Sequence, residues 1–371
     1  MRRVERYRWV GGIWLGLFAF VGLYAQTGSD TPRLYWTGTF GGQSSEARGV
    51  SGDGSIVAGW TFTASGQRRA FRWTRENGIE DLGTLGGNTS EAYAISLNGR
   101  VIVGISTTAQ AGFSRPFRWQ SETGMQPLGD IPGVSYDVSG DGSVIVASLN
   151  INQRLVAYRW TALRGYEPLT GFPETVLNSN ARGITPDGTV IVGFYRNADS
   201  PSFLPFRWRD GVVETLPVPR GGAAFGVSAD GMVVVGRIET DTVLNIPARW
   251  RNGVLEVLSA TARGSALSAN RDGTKIVGSI TTPQGERAFL WTEQEGLVDL
   301  NQKYASLLAG GAVLYRATAI TPDGRYIVGY GLNPDTRIQE GFLLDTIPEP
   351  SSLLALGAGV GLLVYRRTRR Q

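Results

Sequence analysis

Among its 371 residues the chain has no cysteine and no histidine. The first absence excludes disulfide staples, thiol nucleophiles and thiolate metal sites. The second excludes an imidazole base, a histidine-based triad and imidazole metal ligands. Lysine is scarce as well: Lys275 and Lys303 are the only two in residues 26–347. The formal charge is +4, but residues 1–25 and 348–371 each carry +3, leaving −2 on residues 26–347. A near-neutral body lacks the basic stripe that a phosphate backbone requires, so nucleic acid is not an expected partner. No cofactor motif appears either.

Repetition is what the chain has in place of motifs. A short phrase, usually a small residue, a Val or Ile and a Ser or Thr, leads into an Asp-Gly or Asn-Gly turn seven times, as in Gly49-Val50-Ser51-Gly52-Asp53-Gly54 and Ala94-Ile95-Ser96-Leu97-Asn98-Gly99, with Ser268-Ala269-Asn270-Arg271-Asp272-Gly273 the most divergent copy. The turn glycines fall 45, 43, 46, 43, 42 and 51 residues apart. A period in the forties marks one supersecondary unit repeated. Each repeat holds four β-like runs; in the first these are Ala47–Ser51, Ser55–Thr61, Arg69–Thr74 and Ile79–Leu85. Alternation along Ala70-Phe71-Arg72-Trp73 sets Phe71 and Trp73 on one face and Arg72 on the other. Six of the ten tryptophans hold this same place in successive repeats, a pattern expected for aromatics filling the space between neighbouring sheets.

Four strands per repeat predict an all-β chain, and the two ends predict a ring. The last repeat runs out at Asp345, before any fourth strand. The missing strand stands at the other end, where Leu34–Gly42 aligns with Ile79–Gly87. The expected architecture is therefore a seven-bladed β-propeller over residues 34–345, closed by its N-terminal strand, which removes two exposed sheet edges.

Both termini read as addresses. Arg2, Arg3, Arg6 and Arg8 precede the apolar stretch Trp9–Tyr24, the pattern of a signal peptide over residues 1–25. A retained N-terminal anchor is the alternative, because Leu23-Tyr24-Ala25 departs from the small-x-small cleavage pattern. At the far end Pro348-Glu349-Pro350 leads into the apolar run Leu353–Tyr365 and then Arg366-Arg367-Thr368-Arg369-Arg370. That run predicts a short transmembrane helix, with the basic tail held on the cytoplasmic side. Residues 346–371 resemble the PEP-CTERM sorting signal of exopolysaccharide-producing Gram-negative bacteria. The resemblance implies recognition by an exosortase, transient anchoring in the inner membrane, removal of the tail, and a final place at the cell surface or outside the cell.

The phrase Leu82-Gly83-Thr84-Leu85-Gly86-Gly87, with Arg69-Ala70-Phe71 upstream, resembles the HAF family of extracellular repeats over about residues 34–345. The histidine that names that family is replaced here by arginine. The resemblance implies secretion and repetition and brings no activity with it.

Chemistry has few places to sit. The turn aspartates each stand alone beside a glycine, without the convergent carboxylates of a calcium loop, and are expected to form turns. One residue breaks the repeat. The slot held by Gly49, Ala94, Gly183, Gly226, Ser268 and Ala319 is Asp137 in the third unit, where strands are expected to crowd the axis. A carboxylate there must point into the channel or be paired. Glu46, Glu91 and Asp130 fall near the predicted channel mouth as possible partners. The expectation is a non-enzymatic surface or matrix protein that binds exopolysaccharide or another surface protein. The alternative is a polysaccharide-degrading or -modifying enzyme whose channel acids stand about 5–9 Å apart.

Overall fold

The computed structural model describes residues 31–110 and 113–346. The expected signal segment, the Pro348-Glu349-Pro350 triplet and the apolar run Leu353–Tyr365 lie outside the described residues. Among the described residues no helix is long and apolar enough to cross a membrane.

Among the described residues twenty-eight strands pair in antiparallel groups of four. Five groups are separate four-stranded sheets. The other two are joined by one parallel bridge, Ser44 to Gln339, into an eight-stranded sheet. In the first blade the strands are Gly41–Val50, Ile56–Thr63, Arg68–Thr74 and Gly78–Asp81. The innermost strands of the other blades are Gly86–Ile95, Gly133–Val138, Val176–Ile184, Gly221–Val227, Arg263–Ala269 and Val313–Ile320. Each touches the innermost strand of the next blade, and the last touches the first, so the blades form a ring.

The ring closes as the repeat pattern predicts. Arg33–Trp36 pairs antiparallel with Gln339–Asp345, in a register running from Arg33–Asp345 to Trp36–Phe342. Beyond the ladder, Thr37 N–H donates to the Gly341 carbonyl at 2.9 Å and Gly38 N–H to Glu340 Oε2 at 3.2 Å. The strand limits shift from those expected. The fourth strand of the first repeat ends at Asp81, whose carboxylate accepts the Gly83 N–H at 2.8 Å while Gly83 takes φ +78°. That turn sends Gly86 onward into the next inner strand, Gly86–Ile95, which is longer than the five-residue run Ala47–Ser51 of the first repeat suggested.

Each repeated turn is built by its own side chains. Ser51 Oγ donates to Asp53 Oδ1 at 2.6 Å and accepts the Ile56 N–H at 3.0 Å, while Asp53 also accepts the Ser55 N–H at 3.0 Å. The Ser139–Asp141, Thr185–Asp187, Ser228–Asp230 and Thr321–Asp323 pairs repeat this arrangement. The recurrent Ser or Thr is thus a turn component. At Asp141 the Ser139 hydroxyl, then the Ser143 N–H and hydroxyl, hold the carboxyl below its ordinary range.

The core lies between blades. Phe71, Phe117, Phe206, Phe289 and Phe342, one per third strand, are fully buried. The tryptophans two residues on are buried in five of six blades, Trp160 being the half-buried one. Trp208 and Trp250 donate their indole N–H groups to the carbonyls of Thr170 and Pro217 in the preceding blade, at 3.1 and 2.8 Å. Each such ring contributes about 2–3 kcal/mol by burial. The intervening arginines face their own fourth strand: Arg72, Arg159, Arg207 and Arg249 pair with Glu80, Glu167, Glu214 and Glu256. The long connection before the last blade holds a one-turn helix, Leu300–Lys303, capped by Asp299.

Candidate functional site

Every inner strand carries a β-bulge at the same place. In the first blade Ala47 pairs with Gly59 and Gly49 with Ala58, leaving Arg48 as an extra residue with no partner opposite. The equivalent extra residues are Tyr93, Tyr136, Arg182 and Phe225 in the next four blades. In the last two they are Leu267 and Thr318. A bulge re-aims its side chain, and here all seven line one axial cavity of about 410 Å³. Sequence reasoning missed these residues because it read the small slot one position later. The signal was present: Arg48, Tyr93, Tyr136, Arg182 and Phe225 are bulky residues immediately preceding that slot.

Aromatic rings and guanidinium groups alternate around part of this cavity. Arg48 stands 5.7 Å from the Tyr93 ring, and the Tyr93 and Tyr136 rings meet edge to face at 5.5 Å. Arg182 lies 4.0 Å from the Tyr136 ring and 5.9 Å from that of Phe225. Arg237, from the second strand of the fifth blade, lies 5.6 Å from Phe225 on the same cavity. Burial, followed by the charge of Glu91, pushes the Tyr93 hydroxyl well above the usual phenol range. Burial also lowers Arg182 from its ordinary value; Tyr136 and Tyr93 oppose that shift and the Arg48 charge adds to it.

The four acids singled out from the sequence do not form one constellation. Asp137 is half-buried on the cavity wall, with its carboxylate turned to backbone: Oδ1 accepts the Val138 N–H at 2.8 Å and Oδ2 the Ile184 N–H at 2.9 Å. Ile184 belongs to the next blade, so Asp137 fastens two neighbouring inner strands. Ser268 fills the same slot and its hydroxyl accepts the Ile320 N–H at 3.3 Å. At Gly49 an added Cβ would lie 3.0 Å from the corresponding Ile95 nitrogen, which explains why the slot favours small residues. Glu46 pairs with Arg48 at 2.5 Å, and Glu91 with Arg68 at 2.6 Å while accepting the Tyr93 hydroxyl at 3.0 Å. Asp130 is exposed and pairs with Arg115. No hydrogen bond or ion pair links Asp137 to the other three.

Burial pushes the Asp137 carboxyl up to about 7, against the opposing Ile184 and Val138 N–H donors. Because that value lies above the unfolded one, the stabilising contribution is full below about pH 4 and is lost as pH rises through about 7. Asp137→Ser, which keeps an acceptor as Ser268 does, is expected to remove this dependence. Thermal melts of both proteins from pH 4 to 8 should diverge, the parent losing stability relative to the variant as pH rises. Parallel curves would show that Asp137 does not titrate in this range.

No protein-family model matches the chain, and no curated protein matches it. Solved structures do. The β-propeller domain of the Trilobed protease from Pyrococcus furiosus is 12% identical, with TM-score 0.57 over 81% of this chain and 95% of that one. The Cps50 (Swd1) β-propeller domain of Myceliophteria thermophila is 11% identical, with TM-score 0.51 over 84% of this chain and 99% of that one. An acylaminoacyl peptidase is 12% identical at TM-score 0.53 over 78% of this chain, which spans 49% of the peptidase. At such identities the likeness shows architecture alone, and with the closed ring of four-stranded sheets it establishes that this chain folds as a β-propeller.

Proposed function

We propose that the chain is an exported, non-enzymatic propeller that binds a glycan end in its axial cavity at the cell surface or in the extracellular matrix. The observation that carries this reading is the set of bulged residues: Tyr93, Tyr136 and Phe225 offer ring faces and Arg48 and Arg182 offer fixed donors on one cavity. Sugars have apolar faces and hydroxyl edges, and that combination of side chains matches both. The resemblance of residues 346–371 to a PEP-CTERM signal supplies the route: export across the inner membrane, transient anchoring, then processing by an exosortase. Exopolysaccharide is the glycan such a route would place nearby.

The test uses protein recovered from the medium of an exosortase-bearing Gram-negative host. Mass spectrometry should find a C-terminus that lacks Arg369-Arg370-Gln371; an intact terminus refutes the sorting step. The same protein is applied to a glycan array, and bound glycans are incubated with it and analysed for products. Binding that is lost in Tyr93→Ala/Tyr136→Ala, with no product formed, supports the reading. Sugar release would instead favour a polysaccharide-modifying enzyme, and binding unchanged in that double variant would move the site elsewhere.

A further inference from the structure

The arginines around the axial cavity are not alike in their charge balance. Arg48 is neutralised by Glu46 at 2.5 Å and Arg316 by Glu286 at 2.5 Å. Arg182 and Arg237 have no carboxylate within ion-pair distance among the described residues, although both are half-buried and line the cavity. The local sequence explains the contrast. The inner-strand position that holds Glu46 opposite Trp60 and Glu91 opposite Ile105 is Ala223 opposite Arg237 and Asn180 opposite Phe194. The fourth and fifth blades thus lack the acid that the first and second place two residues before the bulge.

A half-buried guanidinium without a counter-charge is costly to keep out of water, and the usual relief is an anion with matching oxygens. The two here approach the same Phe225 ring, Arg182 at 5.9 Å and Arg237 at 5.6 Å, and the Arg237 Nε is buried without a hydrogen-bond partner. Arg182 also has Tyr136 beneath it at 4.0 Å, which fixes its plane. We infer that this part of the cavity is an oxyanion seat, in which Arg182 and Arg237 hold a carboxylate or sulfate carried on a sugar ring that rests against the aromatic wall. The inference rests on the glycan-binding reading for the sugar and on the unpaired arginines for the charge.

The full chain is titrated calorimetrically with glucuronate, with its uncharged methyl ester, and with inorganic sulfate, all at matched ionic strength in chloride. Glucuronate is expected to bind about ten- to a hundredfold more tightly than the ester, the difference one or two charge-assisted contacts make. Arg237→Met should bring glucuronate toward the affinity of the ester and leave the ester nearly unchanged, whereas Arg182→Met, which also removes a donor to the sugar, should weaken glucuronate more than it weakens the ester. Two substitutions on different strands, together with a comparison of acid and ester that needs no variant, guard against loss of fold in either one. Equal binding of acid and ester overturns the oxyanion seat and leaves the glycan reading standing. Sulfate binding that is lost in Arg182→Met, with no sugar bound, keeps the seat and overturns the glycan reading. Absence of all binding, or glucuronate affinity unchanged in both Met variants, overturns the seat.

Discussion

Removing Leu34–Thr39 should lower the melting temperature by about 5–10 °C, although it takes away six of 371 residues. The segment supplies the outer strand of the last blade, paired along Gln339–Asp345. Trp36 packs edge to face on Phe342 at 6.3 Å, Leu34 joins the cluster around Leu300 and Leu344, and Tyr35 meets Trp73 at 6.4 Å. Three half-buried apolar side chains contribute roughly 1–2 kcal/mol each, and the deletion also exposes an edge along Gln339–Asp345. Differential scanning calorimetry of the two proteins tests this. A melt within a degree or two of the parent would mean that the ring is held shut by the Ser44–Gln339 bridge and inner-strand packing alone.

A second large effect is expected at Gly329. An added Cβ there would stand 1.8 Å from the Arg316 carbonyl oxygen, an overlap of backbone that no side-chain movement relieves. The same crowding recurs at Gly104, where the Glu91 carbonyl lies 1.9 Å away, because each bulge pushes a carbonyl toward the facing strand. Gly329→Val should yield insoluble protein or a loss above about 3 kcal/mol by urea denaturation. The third blade gives the contrast, since Ala147 occupies this place opposite Ser135, in the shortest of the inner strands. Ala147→Gly should cost only about 1 kcal/mol, the ordinary strand penalty of glycine. A soluble, well-folded Gly329→Val would mean that the last blade can shift its inner strand as the third has done.

How far the sequence could be read depended on whether a feature was local. The turns were legible because Ser51, Asp53 and Gly54 complete one within a few residues. The closing strand was legible because Leu34–Gly42 copies Ile79–Gly87, although the copied stretch proved to contain the end of one strand and the start of the next. The tryptophan plug was legible from its recurrence. The axial site was not, because a bulge inserts one residue and breaks the alternation that assigns faces. Arg48 and Tyr93 then read as ordinary strand residues between small neighbours. The role of Asp137 was hidden for a different reason: its second partner, Ile184, lies 47 residues away in the next blade. The unequal charge balance of Arg182 and Arg48 is likewise a matter of which neighbours are absent, which only three dimensions reveal.

The pairing of Arg33–Trp36 with Gln339–Asp345 also sets a timetable for the newborn chain. The first strand leaves the ribosome early, and the strand it needs is made last; the Gly38–Glu340 contact beside them spans 302 residues. Until Gln339–Asp345 has been made, Leu34, Tyr35 and Trp36 have no ladder to join. Completion is a single late event of very high sequence separation, the kind that slows folding and leaves an edge available to wrong partners. A chain halted before Gln339 would keep most of its blades and still lack the joint that makes them one body.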